Sequence, residues 1–125
     1  MRVIHLVTGA DGQSHVREET HDLGGWEVAT GISFAETASG GDLAWHVAPR
    51  RQYVLTLSGR LEFTTRGGET FSLGPGDVLL AEDTIGGGHE WRIVGPDPWR
   101  RAYVSLETIS PMITSPKTTS QEDGP

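Results

Sequence analysis

The 125-residue chain has no cysteine. This excludes disulfides, thiolate metal sites and a cysteine nucleophile, and it makes the cytoplasm the expected compartment. It contains no apolar run of about 18 residues, so no transmembrane helix is expected. The first nine residues carry five apolar side chains, too few for the apolar core of a leader, and they predict a strand. Positive charge is scarce: 10 Lys and Arg face 17 Asp and Glu, for a net charge of −7. Such a surface repels phosphate backbones and anionic lipid, so neither a nucleic-acid nor a membrane partner is expected. A sustained helical period is also missing.

Alternation and turn chemistry fill the chain instead. The 17 glycines and 7 prolines are spread along it, as in many short strands joined by tight turns. Val28, Ile32 and Phe34 share one parity after Trp26 and predict a strand with one buried face. Residues 35–42 (AETASGGD) read as a connection. Strands are expected at 44–48, 51–58, 60–66, 69–73, 77–82, 89–94 and 99–107. Turns fall at Ser58-Gly59, at Arg66 to Glu69, at Gly74-Pro75-Gly76-Asp77 and at Gly95-Pro96-Asp97-Pro98. This pattern predicts an all-β, single-domain antiparallel sandwich or barrel. The composition shifts to Pro, Thr, Ser and acid near Ser110. The domain is therefore expected over 1–109, with a disordered tail over 110–125.

Residues 51–58 (RQYVLTLS) have no clear solvent face. Gln52, Val54, Thr56 and Ser58 form a mixed face suited to lining a pocket. Tyr53, Leu55 and Leu57 form an apolar face that needs cover, and a homodimer contact is one way to provide it. His89, Trp91 and Ile93 share a parity, so His89 is a candidate inward group. Arg50 and Arg51 are adjacent and of opposite parity, and an inward arginine would bind a carboxylate or phosphate. Glu82-Asp83 could orient an imidazole or act as a general base. Trp45, Tyr53 and Trp91 are core or interface residues that could also contact a ligand. Gly86-Gly87-Gly88 is no phosphate loop, because no Lys-Ser/Thr follows it.

The stretch from Gly40 to Gly95 resembles the cupin superfamily. That family has a first motif with a glycine, a His-x-His pair and a glutamate. Its second motif runs through Pro-x-Gly to a further histidine and an asparagine. Here Gly40 stands six residues before His46, and Gln52 stands seven before Gly59, where the family has its glutamate. Gly74 to Asp77 is similar to the start of the second motif, and His89 to its histidine. WHVAPRRQ and EDTIGGGH are also similar to a large subgroup of small bacterial cupins that has no single defined activity. The departures are Ala48 for the second histidine, Gln52 for the glutamate and Ile93 for the asparagine.

The resemblance implies a jelly-roll barrel with a small-molecule site around His46, Gln52 and His89, and Glu82 nearby. Arg50, Arg51, Trp45, Tyr53 and Trp91 are the candidate ligand contacts. It implies a divalent ion (Zn, Fe, Ni or Mn) on His46, Gln52 and His89, in a set lacking the usual carboxylate, or else a metal-free site. The implied activities are acid–base chemistry of isomerase, lyase or cyclase type, or metal-assisted chemistry including dioxygenation. A non-catalytic binder is the alternative.

Overall fold

The computed structural model describes residues 1–107, so the tail expectation lies outside the described residues. The described chain forms ten strands: β1 (Arg2–Thr8), β2 (Ser14–Thr20), β3 (Ala29–Thr37), β4 (Asp42–His46), β5 (Gln52–Ser58), β6 (Arg60–Thr65), β7 (Thr70–Leu73), β8 (Val78–Glu82), β9 (His89–Val94) and β10 (Trp99–Leu106). A six-stranded sheet runs β2-β1-β8-β5-β10-β3, and a four-stranded sheet runs β4-β9-β6-β7. Among the described residues no helix is long and apolar enough to cross a membrane.

Alternation explains the core. Val54 of β5, Leu61 and Phe63 of β6, Leu79 and Ala81 of β8, Trp91 and Ile93 of β9, and Trp99 and Tyr103 of β10 join one buried cluster. Each strand contributes every second residue, as a pleat facing an opposite sheet requires. β8 is apolar from Val78 to Ala81 because it is covered on both faces there. Leu79 and Ala81 point into the main core, whereas Leu80 packs outside with Val3 and Leu106, next to Tyr53.

Three features depart from the sequence expectations. β1 pairs with β8 in parallel, Ile4 against Leu79, so the sheet is mixed rather than purely antiparallel. β2 forms a hairpin with β1 from a segment too polar to show alternation. The apolar parity around β3 is not buried: Ile32 is 62% and Phe34 70% exposed, and Trp26 and Val28 are exposed as well. β3 is an edge strand paired only with β10, and no described element covers its outer face.

Candidate functional site

β4 and β9 run antiparallel with His46 directly opposite His89. The register shifts between Leu43 and His46, so β4 has one more residue than β9 in that interval. A bulge of this kind re-aims a side chain. The two rings meet edge to face with centroids 4.5 Å apart. Gly88 permits the approach. Its φ is +78°, and an added Cβ would lie 2.3 Å from the His46 carbonyl oxygen. His46 Nδ1 bonds to the Ala44 carbonyl at 2.7 Å.

His89 is completely buried. Its Nδ1–H donates to Asp83 Oδ2 at 2.6 Å, and the Ser14 hydroxyl donates to the same oxygen at 2.6 Å. The Asp83 backbone carbonyl accepts from Ala48 N, tying the loop after β8 to the segment after β4. A proton fixed on Nδ1 leaves Nε2 as the acceptor nitrogen. The buried Nε2 has no hydrogen-bond partner.

Gln52 begins β5 opposite Ala81 of β8 and is also completely buried. Arg50 Nη1 donates to its Oε1 at 3.3 Å, while its Nε2 is buried without a partner. Asp83 Oδ1 and Trp91 Nε1 share that condition. All four groups belong to the interior face. Gln52 and Asp83 flank Ala81 in the ladder, and Trp91 follows His89 by two residues on one strand. Buried polar atoms are overwhelmingly paired in folded proteins, so this concentration calls for an explanation.

The remaining candidates lie elsewhere. Glu82 is not beside His89: one step in the chain turns it to the opposite face, and Asp83 takes the position against the imidazole. Glu82 accepts from Arg51 and meets His5 Nε2 at 2.5 Å. Burial alone would raise its carboxyl, but the bonds from Arg51 and His5 outweigh it and hold the group below the usual carboxylate range. Arg51 therefore does not serve the cluster, whereas Arg50 does, through Gln52. Tyr53 also faces outward and donates to Glu27 at 2.6 Å. Burial, with Glu27 adding to it, pushes its phenol up to about 12. Trp45 is exposed under the guanidinium of Arg66, 4.5 Å from the ring centroid. An open concavity of about 330 Å³ is lined by Phe34, Ala35, Glu36, Leu57, Arg100 and Arg101, none of them in the histidine cluster. Nothing in the sequence marks Ser14 as a partner of Asp83. Sequence reading raised Asp83 only beside Glu82, although residue parity separates the two.

Among the described residues no group of three or more His, Cys, Asp or Glu could hold a metal ion. The donors present are two imidazoles and one amide, and the nearby carboxylate of Asp83 is engaged by Ser14 and His89. With Ala48 in place of the second motif histidine and no free carboxylate, His46, Gln52 and His89 supply no anionic ligand to offset a divalent ion's charge, and the set does not fit one.

No family model matches the chain, and no curated protein matches it. Solved structures do. A conserved protein of unknown function from Streptococcus pyogenes matches with a TM-score of 0.51 at 21% identity, covering 68% of this chain and 70% of its own. A DUF861 family protein from Thermotoga maritima matches with a TM-score of 0.50 at 19% identity, over 59% and 77%. The Schizosaccharomyces pombe Cnp3 cupin domain matches with a TM-score of 0.50 at 14% identity, over 85% and 84%. The two facing sheets and these neighbours together give the chain the cupin fold.

Proposed function

We propose that the chain binds a small organic molecule at the His46–His89 end of the fold and performs acid–base chemistry on it, with His89 as the proton acceptor. The supporting observation is the group of partnerless buried polar atoms around a histidine already held by a carboxylate. Gln52 Nε2 and Trp91 Nε1 are donors, while His89 Nε2 and Asp83 Oδ1 are acceptors. A ligand carrying both a carbonyl and a hydroxyl group would satisfy both kinds. Asp83 orients the imidazole and stabilises the imidazolium formed when Nε2 takes a proton, while Ser14 fixes Asp83. Gln52 and Trp91 would hold the carbonyl oxygen as charge develops on it. Isomerase, lyase and cyclase reactions share this step. Because the donor set lacks an anionic ligand, no step is assigned to a metal, and elemental analysis of purified protein should give well under one equivalent per chain. One equivalent of Zn, Fe, Ni or Mn, lost in His46→Ala, would instead favour metal-assisted chemistry, including dioxygenation.

The test is a thermal-shift screen of small hydroxy-carbonyl compounds on wild type, Gln52→Leu and His89→Gln. Compounds that stabilise only the wild type are then incubated in D2O. Deuterium uptake next to the carbonyl with wild type, and none with His89→Gln, is the expected outcome. Hits that bind without exchange would favour a non-catalytic binder. Hits indifferent to both substitutions would overturn the site itself.

A further inference from the structure

Arg101 is 4% exposed and lies on the inner face of β10 between Trp99 and Tyr103. Its guanidinium carbon sits 3.9 Å from the Trp99 ring centroid and 5.5 Å from that of Tyr103. Nε donates to the Tyr103 hydroxyl at 2.9 Å. Nη1 donates to Thr37 Oγ1 at 2.7 Å and to the Trp99 carbonyl at 3.1 Å. Every one of these acceptors is neutral. Among the described residues no carboxylate lies within ion-pair distance of this guanidinium, whereas neighbouring Arg100 pairs with Glu36.

A buried cation without a counter-charge is costly, and stacking on Trp99 offsets only part of that cost. Three of the five N–H donors are used, which leaves the two on Nη2. Nη2 has no acceptor, yet it is not among the fully buried atoms that lack one, so it reaches the accessible side. Thr56, the ladder partner of Arg101, lies four residues along β5 from Gln52, about 13 Å of strand, and Trp99 separates the guanidinium from Trp91 of the histidine cluster, the two indole centroids lying 4.8 Å apart.

We infer that Arg101, held by Thr37 and Tyr103 and backed by Trp99, is an anion-binding site for a small organic carboxylate. The single positive charge matches a monoanion, and the aromatic surroundings suit an apolar body attached to it. Phosphate dianion would leave a net negative charge in a protein that already carries −7. This inference does not depend on the acid–base reading.

The experiment titrates benzoate, inorganic phosphate and chloride at matched ionic strength into the full chain, following the Arg101 Nε–Hε resonance and the melting temperature. Saturable benzoate binding, tighter than phosphate and absent with chloride, is expected. Arg101→Lys should weaken it at least about tenfold, as loss of a charge-assisted contact does. Arg101→Met should abolish the benzoate-dependent rise in melting temperature without lowering the ligand-free value. Benzoate acting no differently from chloride on the wild type would overturn the inference, as would stronger phosphate binding. So would a benzoate-dependent rise that survives in Arg101→Met. If Arg101→Met fails to fold, the wild-type titration alone still decides.

Discussion

At the scale of single residues, the carboxylate of Asp83 organises the site. One oxygen accepts from both Ser14 and His89 inside a fully buried environment. Asp83→Ala would leave a hydroxyl and an imidazole N–H without acceptors, each costing about 1–3 kcal/mol. Denaturant unfolding should therefore show a loss of that order for each, and a change within about 0.5 kcal/mol would contradict the arrangement. Glu82→Gln, one residue away, should leave His89 and its ligands untouched. The pairing of Glu82 with His89 was an inference from nearness in sequence, and strand alternation defeats it. The inward parities of Gln52 and His89 were legible because their neighbours two residues on, Val54 and Trp91, are apolar. Ser14 was not legible, because nothing local marks a serine whose partner is 69 residues away.

At the scale of elements, Gly88 and the β4 bulge bring the two histidines together. Gly88→Ala would strain a left-handed backbone, costing roughly 1–2 kcal/mol, and press on the His46 carbonyl. A lower melting temperature with a changed His46–His89 ring contact is expected, and an unaltered protein would refute the close approach. A second device ties the sheets. His15 of β2 bonds Glu69, in the β6–β7 turn, at 2.7 Å and Asp11 at 2.9 Å, and Glu69 also accepts from Val16 N. The bonds to Glu69 and then Asp11 raise the imidazole above its ordinary value of 6.5. The Val16 amide and then His15 hold the Glu69 carboxyl below its ordinary 4.5. The histidine's contribution is complete below 6.5 and is lost as pH rises through its raised folded value. The carboxylate's is present above 4.5 and is lost as pH falls through its lowered folded value. Wild type should therefore exceed His15→Gln in melting temperature most clearly between these values, with the gap closing as pH rises. A gap independent of pH would contradict the clasp. The strands from β4 to β10 and the turns between them were readable from period-two alternation and turn residues, whereas β2 was not, and the apolar parity of β3 lies on the exposed face. The parallel β1–β8 pairing was not readable either, since pairing partners far apart in sequence leave no local signature.

At the scale of the whole molecule, the outer face of the large sheet remains apolar where β3 closes it, through Ile32, Phe34 and Leu57. We propose a homodimer contact there. Light scattering should give twice 13.5 kDa, falling to one chain's mass in Phe34→Glu, and a monomeric wild type would refute it. The sequence marks the parity of Ile32 and Phe34 but predicts it buried, and marks the Leu57 face as needing cover, because alternation records which face is apolar and not what covers it. The fold itself was legible through the spacing of Gly40, His46, Gly59 and Gly74. The replacement of Gln for Glu, and the absence of a second histidine, left the site's chemistry to geometry. If the buried polar atoms are binding groups, they are held at a cost to the ligand-free fold. The most direct measurement is the unfolding free energy of Gln52→Leu without ligand. Stability equal to or above wild type is expected, because an apolar isostere removes the buried, unpaired Nε2 and forfeits only the long 3.3 Å bond from Arg50. A loss of about 2 kcal/mol or more would mean that Gln52 is a satisfied structural amide, and the binding-site assignment would fall with it.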